Sequence, residues 1–132
     1  MIYLDKVIDT KIEDFKLRFA NKNDVPLILS FIKELAAYEK MEDEVVASED
    51  ILMQSLFKRK AAETIIGEYK GEPVGFVVFF HNFSTFLGKP GLYIEDIYVK
   101  PEMRGKGFGK TMFLFMAKLA VERDCGRMDW SC

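Results

Sequence analysis

The stretch 92–111 constrains the fold more than any other part of this chain. Its first residues are β-branched and aromatic, which predicts a strand over 92–99, and Pro101 ends that strand. Three glycines then alternate from Gly105 onward, and apolar residues at helical spacing begin at Phe108. The pattern therefore predicts a strand, a tight loop and the N-terminus of a helix, in that order.

The loop between this strand and this helix has the chemistry of an anion site. The first backbone N–H groups of a helix have no partner inside the helix, and glycines allow a phosphate to approach them closely. Arg104 and Lys106 add positive charge at the same place. We therefore expect a phosphate or pyrophosphate site here. A glycine-rich turn that only links the strand to the helix is the alternative.

Spacing separates three phosphate-binding motifs that could use these residues. A P-loop needs a glycine five residues before the glycine of Gly-Lys-Thr, and that position is Arg104. The dinucleotide fingerprint needs a third glycine where Lys110 stands. The pattern that remains is Arg-x-x-Gly-x-Gly, at Arg104, Gly107 and Gly109. It resembles the acyl-CoA pyrophosphate loop of the GNAT N-acetyltransferases.

Composition narrows the class of protein. The chain has 132 residues, enough for one domain with a buried core, and 49% of them are hydrophobic. Its net charge of −2 gives no reason to expect a nucleic-acid partner. No apolar run approaches the roughly 20 residues of a membrane span. The first residues lack the pattern of a signal peptide, so we expect a cytoplasmic protein with no membrane partner.

Cysteine and histidine usage limits the chemistry further. Cys125 and Cys132 are too few for a disulfide framework, and we expect both to be reduced thiols. His81 is the only histidine, so we expect no metal site of the Cys and His type. We expect His81 to be a polar residue at a strand end, with a catalytic contact as the alternative.

The rest of the chain reads as an alternation of helices and strands. Apolar spacing predicts a helix over about 25–36, begun by an Asn or Asp cap, and a second helix after Ser48. Patterning predicts strands over 16–20, 63–69, 73–81 and 92–99, a helix from 108 to about 124, and a strand that begins at 127. The order β-α-α-β-β-β-α-β indicates a mixed α/β sheet domain.

Three segments together narrow the resemblance. The diamine (spermidine/spermine) N-acetyltransferase branch has segments that look like residues 32–42, residues 87–96 and residues 104–109, which we call the glycine loop. The likeness runs from about residue 16 to residue 132. It implies the GNAT fold, a mixed twisted sheet flanked by helices, with acetyl-CoA as co-substrate and a small amine as acceptor. By this resemblance acetyl-CoA would be bound by Ile97, Tyr98, Val99, Arg104, Gly105, Lys106, Gly107, Phe108, Gly109 and Lys110, and the amine by Tyr38, Glu39 and Glu95.

Transfer to an amine needs a base, because a primary amine with a pKa of about 10.4 is mostly protonated at neutral pH. Glu95 is the candidate base, acting through water. Its neighbour Asp96 is expected on the opposite face, since side chains alternate along a strand. A backbone N–H within 97–99 is the candidate donor to the oxyanion. A pair of strand-end charges is the alternative interpretation of Glu95 and Asp96.

An acidic run between the first two predicted helices could attract a polycation. Its members are Glu39, Glu42, Asp43, Glu44, Glu49 and Asp50. Most such runs are simply solvated helix ends and loops, and this alternative stays open.

Two features depart from the family pattern. In the family, the strand that begins near Met128 is followed by an Asn-containing turn, a helix with a Tyr thought to protonate the departing thiolate, and a closing hairpin, whereas this sequence stops at Cys132. We therefore expect residues 15–132 to be an incomplete N-acetyltransferase domain with its C-terminal part missing, and residues 1–14 to be an N-terminal extension.

An open sheet edge favours a homo-oligomer such as a dimer. Two other functions stay open: acetyl-CoA binding without catalysis, and a truncated product that associates through its sheet edge.

Overall fold

The computed structural model describes residue 3 and residues 5–131. These residues form one six-stranded sheet with helices packed on both faces. In chain order the elements are β1 Ile8–Asp9, β2 Phe15–Phe19, α1 Val25–Tyr38, α2 Glu49–Leu52 with a π-helical continuation Met53–Lys58, β3 Glu63–Tyr69, β4 Glu72–Ser84, β5 Lys89–Val99, α3 Phe108–Glu122 and β6 Arg127–Trp130.

The strands lie in the sheet in their order along the chain, from β1 to β6. Neighbours from β1 to β5 are antiparallel, and β6 runs parallel to β5. A parallel neighbour needs a crossover connection, which α3 supplies. The C-terminal end of β5 and the N-terminal end of α3 therefore meet at one place, and the glycine loop joins them there.

Apolar side chains fill both faces of the sheet. On one face the Phe108 ring of α3 stacks on Phe15 of β2, with ring centroids 4.1 Å apart. On the other face Phe31 of α1 packs 5.3 Å from Phe76 of β4 and 5.9 Å from Tyr98 of β5. All five side chains are buried. The apolar stripes predicted for α1 and α3 are thus what docks these helices, and β5 is held from both sides.

The residues before β2 extend the sheet. β1 pairs with β2 through Ile8 and Asp9. The Tyr3 ring lies 5.8 Å from Phe19 and 5.4 Å from Phe115, and its hydroxyl donates a hydrogen bond of 2.5 Å to Glu122. The part of the extension that the structure describes therefore covers the β2 edge and contacts α3.

Most predicted elements lie within three residues of the observed ones. β3 coincides with its prediction, β2 begins one residue early, and β5 begins at Lys89. β1 was not predicted, because two residues carry too little pattern to be recognised. The predicted second helix begins where expected, after Ser48, but its second half is π-helical.

His81 lies inside β4 instead of at a strand end, because β4 continues to Ser84. Its Nε2 atom is 3.3 Å from Nη1 of Arg123, which also donates to the Glu63 carboxylate at 2.6 Å. Burial, and then the Arg123 charge, lowers the pKa of His81. The ring thus belongs to a structural cluster that ties the end of α3 to β3 and β4.

Two further expectations concern membranes and thiols. Over residue 3 and residues 5–131, no helix is long and apolar enough to cross a membrane. Cys125 is a free thiol, whereas the expectation for Cys132 falls on a residue outside the described part.

Candidate active site

The glycine loop turns the chain sharply between β5 and α3. Lys100 leaves the strand into a short 3-10 turn over Pro101–Met103, and α3 begins at Phe108. Gly105 and Gly107 have φ of +82° and +85°, a left-handed conformation that side chains with a Cβ disfavour. The alternation of glycines therefore has a structural cause, because two of the three positions require this backbone.

The loop presents a row of unpaired backbone donors. Among the described residues, none of the N–H groups of residues 105–110 donates a hydrogen bond to protein. The first N–H group of α3 that does so is that of Thr111, which donates to the Gly107 carbonyl at 3.0 Å. Lys106 and Lys110 are exposed beside these donors. Unpaired N–H groups at a helix N-terminus with nearby positive charge are the features that bind phosphate groups.

A cavity of about 410 Å³ opens between this loop, the end of β5 and the end of α1. Its walls are formed by Tyr38, Ile97, Val99, Met103, Arg104, Gly105, Gly107, Phe108, Gly109 and Lys110. Most of the predicted acetyl-CoA residues thus surround one space. Met103 was not predicted, and Tyr38 was predicted for the amine side.

The edge of β5 next to this cavity is unpaired. The last pairing of β5 with β6 joins Ile94 to Trp130, so the later residues of β5 have no described strand on that side. On the other side the Lys100 N–H donates to the Val74 carbonyl at 2.9 Å. Backbone groups alternate in direction along an antiparallel strand. The main-chain groups of Ile97 and Val99 therefore face the unpaired edge, whereas those of Tyr98 face β4.

Not every predicted acetyl-CoA residue reaches this edge. Tyr98 buries its ring, and its hydroxyl donates to Glu34 of α1 at 2.9 Å. The Phe108 side chain lies in the core, so only its backbone N–H is available to a ligand. The contact between Tyr98 and Glu34, extended by Lys100 at 3.8 Å, fixes α1 to the end of β5.

The two candidate carboxylates lie at a bulge in β5. Val78 of β4 pairs with Asp96, and the next residue, Phe79, pairs with Ile94, so Glu95 has no partner. A bulge interrupts the alternation of side chains, and Ile94 and Ile97, three residues apart, both pack into the core under α3. The expectation that alternation puts Glu95 and Asp96 on opposite faces is therefore corrected at this point.

Glu95 and Asp96 line one small cavity of about 230 Å³ together with Phe113 of α3 and Trp130 of β6. Glu95 is exposed and Asp96 is half-buried. Burial, followed by the negative charges of Glu95 and Glu39, raises the pKa of Asp96 to about 6. Sequence reasoning set Asp96 aside, because no pattern in the sequence indicates the bulge.

The predicted amine-binding residues at the end of α1 divide between two places. The Tyr38 ring borders the cavity at the glycine loop, where the Arg104 guanidinium lies 4.3 Å from its centroid. Glu39 lies near enough to Asp96 for its charge to raise the pKa of that carboxyl. The rest of the acidic run, Glu42, Asp43, Glu44, Glu49 and Asp50, is exposed to solvent.

The described residues contain no group of three or more His, Cys, Asp or Glu side chains that could hold a metal ion. The arrangement instead offers a row of backbone donors for an anion, an unpaired strand edge, and carboxylates at the end of that edge. These features together can hold a phosphate-bearing thioester and present it to an amine.

Known proteins are similar to this chain in sequence and in fold. The profile of the Acetyltransferase (GNAT) family matches residues 29–132. The thialysine N-epsilon-acetyltransferase of Bos taurus is 35% identical over 129 residues, covering 87% of this chain and 75% of that protein. An L-ornithine N5-acetyltransferase of Arabidopsis thaliana is 29% identical over 161 residues, covering 87% of this chain and 71% of its own.

Among solved structures, an aminoglycoside acetyltransferase from an uncultured soil metagenomic sample superposes with a TM-score of 0.78 at 18% identity, covering 90% of this chain and 78% of the other. At that identity the likeness shows a common fold. The family profile covers most of the chain, and the cattle relative is similar over most of both lengths. The chain therefore belongs to the GNAT family of acetyl-CoA-dependent N-acetyltransferases, as its glycine loop predicted.

Proposed function

We propose that this acetyltransferase moves the acetyl group of acetyl-CoA to a primary amine of a small diamine or of a lysine-like amino acid. One observation carries the proposal: Ile97 lines both the cavity at the glycine loop and the cavity that holds Glu95 and Asp96. The shared residue supports a single site that runs from the anion-binding loop along the unpaired edge of β5 to the carboxylates. Two relatives are named for thialysine and ornithine, which both carry such an amine.

The residues present fit acetyl-CoA. The N–H groups of residues 105–110 would bind its pyrophosphate, with Arg104, Lys106 and Lys110 supplying positive charge. The N–H groups of Ile97 and Val99 and the C=O of Ile97 have no strand partner and would bind the amide groups of its pantetheine arm. The Val99 C=O already accepts a hydrogen bond from Arg104 Nε. The backbone groups of Tyr98 face β4, so Tyr98 would support acetyl-CoA binding only indirectly, through its hydroxyl, which fixes β5 to α1.

The carboxylates fit the amine. The negative charges of Glu39 and Glu95 both act on Asp96, and these three carboxyl groups together favour a cationic acceptor. The exposed Glu95 is the proposed base, which removes a proton from the ammonium group through water. The unpaired N–H of Ile97 is the proposed donor to the oxygen that gains charge during transfer.

We further propose that the protein acts in the cytoplasm as a homo-oligomer. Phe83, Phe86 and Leu87, at the tip of the hairpin between β4 and β5, are 61%, 100% and 55% exposed. Exposed apolar side chains such as these are stabilised when a second copy covers them. Sedimentation over a dilution series tests this part, and a monomer at all concentrations would contradict it.

Calorimetry with acetyl-CoA and a mass-spectrometric screen of amines test the main proposal. The screen offers thialysine, ornithine, spermidine and a diamine to the protein with acetyl-CoA. We expect binding, and acetylation of at least one amine. Binding without any product would favour an acetyl-CoA-binding module, and no binding would exclude the site.

A matched pair of glycine variants tests the pyrophosphate assignment. Gly107→Val places a branched side chain among the proposed phosphate donors. Gly71→Val, in the turn between β3 and β4, introduces similar backbone strain, since the φ of Gly71 is +83°. A Cβ placed on Gly71 would have no atom within 4 Å, so this variant adds the strain without adding a steric contact. We expect both variants to lose stability and only Gly107→Val to lose acetyl-CoA binding. Equal affinities would show that the loop does not bind the pyrophosphate.

A further inference from the structure

Tyr38 ends α1 with an exposed side chain that nevertheless has a defined neighbour. Its exposed fraction is 62%, and the Arg104 guanidinium carbon lies 4.3 Å from the centre of its ring. In the described part of the chain the Tyr38 hydroxyl makes no hydrogen bond to protein. The contact that this structure gives Tyr38 is therefore made by the ring face and not by the hydroxyl.

Arg104 is held at three points. Its Nε donates to the Val99 carbonyl at 3.0 Å, and its guanidinium lies over Tyr38 and, at 5.8 Å, over Tyr98. Among the described residues no carboxylate lies within 4.0 Å of it, in contrast to Arg18 and Arg123, which are both paired with acids. Its remaining N–H groups and its charge are thus available to an anion at the glycine loop.

Tyr38 is itself well placed to hold Arg104. The end of α1 is fixed by the Glu34 contact with Tyr98, and the Glu39 N–H donates to the Leu35 carbonyl at 3.0 Å. An exposed arginine has many rotamers, and a ring face restricts the guanidinium to one plane over it. The aromatic ring therefore reduces the conformational freedom that Arg104 would otherwise lose when it binds a phosphate.

We propose that Tyr38 is a positioning residue for acetyl-CoA: its ring holds the Arg104 guanidinium beside the glycine loop, and it sets affinity for acetyl-CoA and not for the amine. This inference rests on the proposed function of the loop. It gives Tyr38 a role in acetyl-CoA binding where the family resemblance implies amine binding, and the tests below distinguish the two; Glu39, Glu95 and Asp96 stay on the amine side.

Two substitutions separate the ring from the hydroxyl. Tyr38→Phe keeps the ring and removes the hydroxyl, whereas Tyr38→Leu removes the ring. We expect Tyr38→Phe to bind acetyl-CoA within about twofold of the original chain, and Tyr38→Leu to bind about threefold to thirtyfold more weakly, the range of a cation–π contact. The KM for the amine should stay unchanged in both. Because the side chain is exposed, both variants should keep the original melting temperature.

A double-mutant cycle tests whether Tyr38 acts through Arg104. Arg104→Lys should weaken acetyl-CoA binding, since a lysine cannot stack or bind a phosphate through two N–H groups. If the inference holds, adding Tyr38→Leu to Arg104→Lys should cause little further loss. Fully additive losses would overturn it, as would a Tyr38→Leu variant with normal acetyl-CoA affinity and a raised KM for the amine. Failure of the unsubstituted chain to bind acetyl-CoA would instead overturn the proposed function.

Discussion

At the scale of one residue, Asp96 shows how the geometry of the backbone changes the pKa of a side chain. The bulge at Glu95 brings two carboxylates to one small cavity, and Glu39 adds a third negative charge nearby. Burial, and then these charges, raises the pKa of Asp96 to about 6. A carboxyl group with this pKa is close to half-protonated in mildly acidic solution, whereas an ordinary aspartate is fully ionised there.

Asp96→Asn should stabilise the protein in a pH-dependent way. The folded chain keeps a proton on Asp96 that the unfolded chain has lost between about pH 4 and pH 6, so the carboxylate costs stability as pH rises through this window. We expect the free energy of unfolding to increase by about 1 kcal/mol at pH 7.5, a value reduced for solvent screening at a half-exposed group, and to change little at pH 4.

Urea unfolding at both pH values checks this expectation, with Glu42→Gln, at an exposed carboxyl group, as the control. A gain of equal size at pH 4 and pH 7.5 would mean that the Asn packs better and that titration of Asp96 is not the cause.

Glu95→Gln should lower turnover at neutral pH and leave acetyl-CoA affinity nearly unchanged. The side chain lines the carboxylate cavity and not the cavity at the glycine loop, so its loss removes the base without disturbing the anion site. Loss of a general base costs roughly 10² to 10⁴ in rate. Steady-state kinetics and calorimetry measure the two quantities. If Asp96→Asn shows this loss and Glu95→Gln does not, the base is Asp96.

At the scale of elements, the sequence was informative where periodicity is long. The β3 strand was predicted to the residue, because its Ile and Tyr residues are followed by the turn Lys70-Gly71. The start of α3 was predicted to the residue, because apolar residues at helical spacing begin at Phe108. The bulge at Glu95 was not predictable, since it arises from the pairing register of β4 with β5 and leaves no local pattern. The stacking of Arg104 on Tyr38 was not predictable either, because the two residues are 66 positions apart in the sequence and come into contact only in the folded chain.

Gly75 shows how closely β4 and β5 approach beside the site. It pairs with Val99, and a Cβ placed on it would lie 2.3 Å from the Tyr98 carbonyl oxygen. We expect Gly75→Ala to destabilise the chain by roughly 2 to 4 kcal/mol, because backbone atoms must move apart. Acetyl-CoA affinity should fall as well, since Val99 belongs to the proposed edge.

Gly109→Ala is the matched control for this substitution. Its Cβ would meet only a Val99 methyl group at 3.8 Å, an ordinary contact, and alanine favours a helix over glycine. Its free energy of unfolding in urea should therefore stay the same or rise slightly. Similar losses in the two variants would show that crowding at Tyr98 is not the reason.

At the scale of the whole molecule, the N-terminal segment joins regions that are far apart in sequence. β1 covers the β2 edge, Tyr3 contacts Phe19 and Phe115, and Ile12 reaches to 3.5 Å from a Cβ placed on Gly107. The segment therefore touches the sheet edge, α3 and the glycine loop. A sheet edge covered by a short strand is also less prone to pair with other chains.

Tyr3→Ala should loosen this segment and lower the stability of the whole chain. The substitution removes ring contacts at 5.8 Å and 5.4 Å together with the hydrogen bond to Glu122. Aromatic pairs contribute about 0.5 to 1.5 kcal/mol each beyond burial, and partial exposure reduces this, so we expect a loss of about 1 to 2 kcal/mol. Tyr3→Phe keeps the rings in contact and should lose clearly less. Urea unfolding gives both values, and amide hydrogen exchange over residues 5–14 should quicken in Tyr3→Ala alone. Equal losses in the two variants would assign the effect to the Glu122 hydrogen bond, and unchanged exchange would show that β1 is held by its pairing with β2 and not by Tyr3.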